Sequence, residues 1–186
     1  GNLKFDQDIP LELSKIAKTV REDWSLDGIK RPVLIAASTH DDEEIFAAKT
    51  HILLKKKNKN FITIIIPRHI NRVPEIIDRL EKLGLNIVVR SSKNKKLKNV
   101  DIFIVDTFGE SKKFYKIATS VFLGGSIIKL GGHNPLEPAR FGAKILHGPN
   151  IDNFKEVYHH LNFLRISSKI NSPLQCANSV IFKKNM

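Results

Sequence analysis

The sequence predicts an α/β protein built on a doubly wound parallel sheet, and three observations lead to it. From Arg31 onward, short apolar runs alternate with amphipathic stretches, the rhythm of strand–helix–strand units. The strand-like runs, such as Val33–Ala37 and Phe61–Ile66, are continuously apolar and rich in branched side chains, as strands covered on both faces are. The Gly, Ser, Thr, His and Arg residues gather in the turns that follow these strands, where open α/β sheets hold their ligands.

Each element has its own reason. Pro32 precedes the first strand, Val33–Ala37, and Ser38 to Asp42 supply helix-capping chemistry. Ile45, Phe46, Lys49, Ile52 and Leu53 then recur at helical spacing. Phe61–Ile66 is the second strand, stopped by Pro67. Pro74 opens a helix through Ile76, Ile77 and Leu80 that Gly84 closes. Asn86–Arg90 and Asp101–Val105 read as the third and fourth strands, with a helix over Lys112–Ala118. Val121–Leu123 is a fifth strand, Pro135–Phe141 a short helix, Lys144–Leu146 a sixth strand and Asn153–Leu161 a closing helix. Three segments are expected: residues 1–30 as a linker with a packing helix over Leu11–Arg21, residues 31–165 as the ligand-binding domain, and residues 166–186 as a divergent tail.

Composition bounds the function. The chain carries 31 Lys and Arg against 19 Asp and Glu, a net charge of +12, and its single cysteine excludes an internal disulfide framework. Lysines outnumber arginines 23 to 8 and lie in runs such as Lys55–Lys57 with Lys59, typical of solvated helix ends. Such a surface also favours anionic partners, yet no nucleic-acid-binding signature accompanies it. No apolar run approaches the roughly 20 residues of a membrane-spanning helix. The one methionine is Met186, and the missing initiator suggests that an N-terminal part is absent.

The densest stretch is Gly124-Gly125-Ser126-Ile127-Ile128-Lys129-Leu130-Gly131-Gly132-His133-Asn134-Pro135-Leu136-Glu137-Pro138. Its two glycine pairs allow backbone to approach a ligand closely, and a helix starting near Pro135 would turn its N–H groups toward the loop. Glu137, in the first helical turn, is placed to grip a pair of ribose hydroxyls. The bland alternative is that the glycines make tight turns and Glu137 supports its own helix. There is no P-loop, no GxGxxG, no HExxH and no paired CxxC, so no NTPase, dehydrogenase or catalytic metal is indicated. His40, His69 and His133 follow three different strands and stand to converge, a weak signal for a metal. Asp41 to Glu44 sit at a helix start, where the helix dipole accounts for them. His147, His159 and His160 read as ordinary surface or helix residues, and Cys176 is given no role.

Taken in order, Gly1-Asn2-Leu3-Lys4-Phe5-Asp6, Ala37-Ser38-Thr39-His40, Pro67-Arg68-His69, Asp106-Thr107-Phe108-Gly109-Glu110, the Gly124–Pro138 run, and Gly148-Pro149 with Asn153-Phe154-Lys155-Glu156 resemble the C-terminal half of the 3-deoxy-D-manno-octulosonic acid (Kdo) transferases. The resemblance covers about residues 1–157. It implies a Rossmann-like domain, the C-terminal half of an inverting, metal-independent GT-B glycosyltransferase with no cofactor. It further implies transfer of Kdo from CMP-Kdo to a lipid A precursor at the cytoplasmic face of the bacterial inner membrane, in lipopolysaccharide biosynthesis.

By that resemblance Pro67 and Arg68 contact the cytidine nucleotide, and Phe108, Gly109 and Glu110 line base and ribose. Asn134, Pro135, Leu136 and Glu137 hold ribose and phosphate, with Lys129 and His133 as candidates to neutralise the Kdo carboxylate. No catalytic residue is expected in this chain, because the family's base is a glutamate of the other half. The acceptor site and membrane-facing surface belong there too, and nucleic acid is not an expected partner. Two rivals remain: a GT-B domain for a UDP-sugar (transferase or epimerase), and a basic, non-enzymatic nucleic-acid-binding module.

Overall fold

The computed structural model describes residue 15, residues 31–93 and residues 96–182. The expected helix over 11–21, apart from Lys15, and the first six residues lie outside the described residues.

Seven strands run β1 (Val33–Thr39), β2 (Ile62–Pro67), β3 (Ile87–Val89), β4 (Ile102–Ile104), β5 (Ser120–Leu123), β6 (Lys144–His147) and β7 (Ser167–Lys169). Six helices connect or close them: α1 (Glu43–Lys57), α2 (Val73–Glu81), α3 (Ser111–Tyr115), α4 (Leu136–Arg140), α5 (Lys155–Phe163) and α6 (Pro173–Ser179). The sheet order is β3-β4-β2-β1-β5-β6-β7. Every pairing is parallel. The order reverses between β1 and β5, which opens a crevice at their carboxyl ends.

Period-two alternation divides the core. On β1, Val33, Ile35 and Ala37 join Ile64, Phe103, Phe114, Val121 and Tyr158 on one face. Leu34 and Ala36 join Phe46, Leu54, Ile65, Phe122 and Leu146 on the other. Both faces are buried, which is why the strands read as continuous apolar runs rather than alternating ones. Gly84 closes α2 as expected, at φ +77° with its N–H on Glu81 O at 2.9 Å.

The boundary expected at residue 165 falls inside the sheet. β7 pairs with β6 from Ile145–Ser167 to His147–Lys169. Beyond it, Ile170, Cys176, Ala177 and Val180 pack into the core beside Phe46 and Leu54. The Ser-Ser-Lys strand escaped notice because an edge strand of small polar residues carries no apolar period. Cys176 is therefore core, and burial pushes its thiol up to about 12.

At the amino ends of the strands, the buried Arg31 guanidinium donates to the carbonyls of Asn60, Leu97, Phe61 and Val100 at 2.6–3.2 Å. Nearby, Asp101 accepts from Lys55 Nζ at 2.6 Å and from the Asn86 N–H at 2.9 Å, and meets His51 Nε2 at 3.2 Å. No helix among the described residues is long and apolar enough to cross a membrane.

Candidate functional site

The chemistry-bearing turns do lie together, at the carboxyl rim. Ser38 leaves β1 in a left-handed conformation, φ 55°, and its carbonyl turns toward the loop after β5. A Cβ on Gly124 would stand 2.2 Å from that oxygen, so only glycine lets the two loops meet. Gly125 takes φ +70°, and a Cβ there would press on the His133 ring at 3.0 Å. The first glycine pair thus serves the approach of two loops and the seating of a histidine.

Glu43 fixes that junction. It is fully buried at the start of α1, and its carboxylate accepts the N–H groups of Gly125 (2.7 Å), Ser126 (3.3 Å), Ile127 (3.2 Å) and His40 (3.1 Å). Burial raises its pKa, and the four backbone donors oppose that rise. Glu44 is also buried and binds Arg72 at 2.6 Å. The helix dipole therefore does not account for this acidic cluster: two of its carboxylates are internal struts. A signal was present in the sequence, since a glycine pair with unpaired amides directly after a strand needs an acceptor.

His147 also differs from expectation. It ends β6 fully buried, its Nδ1 2.6 Å from Gly148 O and its Nε2 3.2 Å from Asn162 Oδ1. Burial lowers its pKa. Tyr158, equally buried, donates to His133 O at 2.5 Å and so ties α5 to the glycine-rich loop.

Two groups of expected site residues assemble on the rim. In the first, Pro67 is buried as the last residue of β2 and Arg68 emerges exposed from it, its N–H on Thr39 O at 3.0 Å. Arg68 lies within electrostatic reach of His40 and His133. The three histidines do converge: His40 Nε2 and His133 Nε2 are 2.9 Å apart, and the His69 ring stands edge-on to His40 at 5.9 Å.

The second group begins at Phe108, whose ring is 81% exposed. Gly109 takes φ +73° at the tip of the loop. Glu110 points inward, held by Thr107, by Lys113 at 3.1 Å and by Arg90 at 3.4 Å. Burial pushes its pKa up, but the Thr107, Lys113 and Arg90 contacts outweigh that and leave it lowered. Its carboxylate anchors the Phe108 loop. That loop runs straight into α3, which packs against α4, the helix of Glu137. Glu137 is exposed and close enough to Tyr115 to raise its pKa, after burial. Residues 133–136 bridge the two groups, with Asn134 Oδ1 accepting the Leu136 N–H at 3.0 Å. Lys129 is exposed on the same loop.

A further groove lies elsewhere. It has a volume of about 1110 Å³ and runs along the amino ends of the strands, bounded by Arg31, Ile52, Lys56, Lys59, Lys98 and Asp101. It offers lysines and an arginine already committed to carbonyls, without aromatic rings or glycine turns.

No family model matches the chain. Individual proteins do. It is 34% identical over 172 residues to the 3-deoxy-D-manno-octulosonic acid transferase of Haemophilus influenzae, covering 92% of this chain and 40% of that protein. It is 35% identical over 158 residues to the same enzyme of Rickettsia felis, covering 84% of this chain and 33% of that one. The chain thus spans two fifths or less of the length of these relatives. Among solved structures, the C-terminal CMP-Kdo binding domain of WaaA from Acinetobacter baumannii superposes with a TM-score of 0.80 at 25% identity. That match covers 91% of this chain and 87% of the other. The chain is therefore a relative of the 3-deoxy-D-manno-octulosonic acid transferases, and its fold is that of the C-terminal domain of a GT-B glycosyltransferase.

Proposed function

We propose that this chain is the donor-binding half of an inverting glycosyltransferase that moves Kdo from CMP-Kdo to a lipid A precursor, at the cytoplasmic face of the inner membrane. The observation that carries the reading is the paired arrangement on the carboxyl rim: an exposed arginine beside three imidazoles, and an exposed aromatic ring on the loop into α3 with an exposed glutamate on α4, the helix packed against α3. Its support is the likeness to proteins named for Kdo transfer.

In this reading the cytosine stacks on Phe108 and the ribose hydroxyls donate to Glu137. The phosphate faces Arg68, where Asn134 and the glycine-rich loop close around it. Pro67, Gly109, Pro135 and Leu136 shape the walls, and Glu110 holds the Phe108 loop in place. The base that deprotonates the acceptor hydroxyl must stand within hydrogen-bond reach of it, and the reading assigns it, with the acceptor and membrane surfaces, to the other half of the enzyme.

Calorimetric titration with CMP, UMP and UDP tests this. CMP should bind at least about tenfold more tightly than either uridine nucleotide, on the order of 1.4 kcal/mol. Preference for UDP would instead support a UDP-sugar enzyme.

A further inference from the structure

His40 follows β1, Arg68 and His69 follow β2, and His133 lies in the loop after β5, so four basic side chains from three loops meet on the rim. The His40 and His133 rings lie within 4° of parallel, with their Nε2 atoms 2.9 Å apart. A contact of that length between two imidazole nitrogens holds one proton, with a donor on one ring and a lone pair on the other.

What faces this pair is basic. Burial, then His133, His69, Arg72 and Arg68, hold His40 down at about 4. Burial, then Arg68 and His69, lower His133. The neighbouring acids are engaged elsewhere: Glu43 on backbone amides that include His40's own, Glu44 on Arg72, and Asp41 and Asp42 on Arg79. Tyr158 reaches only the carbonyl of His133. Arg68 makes no ion pair among the described residues.

The amides that a glycine-rich loop would ordinarily turn to an anion, those of Gly125, Ser126 and Ile127, are already filled by Glu43. An acidic ligand group arriving here has to be met by side chains. Among the described residues no three His, Cys, Asp or Glu side chains are arranged to hold a metal ion.

We propose that His40, His69, His133 and Arg68 form a subsite for the phosphate of the ligand, and that filling it draws a proton onto the His40–His133 pair. The proton comes from solvent and takes the remaining Nε2 lone pair. The ring-to-ring hydrogen bond opens, and both Nε2–H groups then donate to the anion. The inference rests on the reading of this rim as the donor site, because the donor supplies the phosphate.

The test is an NMR titration of the imidazoles in the 186-residue chain, with and without sulfate, a tetrahedral anion that does not titrate in this range. H40N, H69N and H133N variants assign the resonances, while the unsubstituted protein carries the result. Sulfate should raise the midpoints of His40 and His133 by about one pH unit, equivalent to about tenfold tighter binding to the protonated pair. His159 and His160 should stay in place. Midpoints of the pair that do not move, or that move no more than those of His159 and His160, overturn the subsite.

Calorimetry at about pH 5, between the free and the anion-filled midpoints of the pair, in two buffers of different ionisation enthalpy separates the subsite from the donor reading. CMP should take up part of a proton on binding, and cytidine none. If CMP binds without proton uptake, the subsite falls and the donor reading stands. If sulfate moves the midpoints but neither CMP nor cytidine binds, the subsite stands and the donor reading falls.

Discussion

The carboxylate of Glu43 accepts the N–H of Gly125 at 2.7 Å, and that bond joins the loops leaving β1 and β5 where the order of the sheet reverses. Three further amides converge on the same carboxylate. The shape of the rim at its centre is thereby set by a protein anion, before any ligand arrives.

Glu43→Ala should leave these buried donors without an acceptor, at about 1–3 kcal/mol for each one that water does not reach. The expected outcome is a loss of about 3 kcal/mol or more in denaturant unfolding. Glu43→Gln should recover part of it, since its amide oxygen still accepts.

Asp101 gives the pH dependence. Burial pushes its carboxyl up, but the bonds from His51, the Asn86 N–H and Lys55 outweigh burial and hold it well below the usual carboxylate range. A depressed folded pKa means stability that is present above the unfolded value near 4 and is lost as pH falls below it. Asp101→Asn should cost about 2 kcal/mol at neutral pH, discounted because Lys55 is half exposed. The gap to the unsubstituted protein should narrow in melts taken at and below about pH 4.

The first six strands and the rim that carries the unusual residues were legible because apolar, branched side chains write a continuous run, and the topology then dictates where the turns go. Three features were not. β7 is Ser-Ser-Lys on a sheet edge, so its pairing leaves no hydrophobic trace. Glu43 and Glu44 look like any acidic helix start, and their burial depends on loops more than 80 and nearly 30 residues away in the chain. The strands they follow brought the three histidines together on paper, but the direct His40–His133 contact, spanning 93 positions, left no mark in the spacing.

Phe108 is exposed and has no role in the core. Replacing it by alanine should leave the melting temperature within about a degree, because an exposed ring contributes little to stability. CMP binding should weaken by about 1–3 kcal/mol, the usual worth of stacking a base on an aromatic ring. Unchanged affinity would remove Phe108 from the site.

Glu137 is tested through the ribose. A carboxylate accepting from both hydroxyls makes charge-assisted bonds, so Glu137→Ala should weaken CMP by about 1.5–3 kcal/mol. The unsubstituted chain should discriminate against deoxy-CMP, and the variant should discriminate far less. If the variant melts lower while the CMP-to-deoxy-CMP ratio stays the same, Glu137 only supports the start of α4.

The most direct measurement is a map of the backbone amides that shift when CMP is added to the isotope-labelled chain. The account predicts shifts confined to the carboxyl rim: Arg68 and His69, Phe108 to Glu110, and His133 to Glu137. Shifts centred instead on the basic groove at the opposite rim, around Asn60, Lys98 and Asn99, would contradict it, and so would the absence of any shift at saturating CMP.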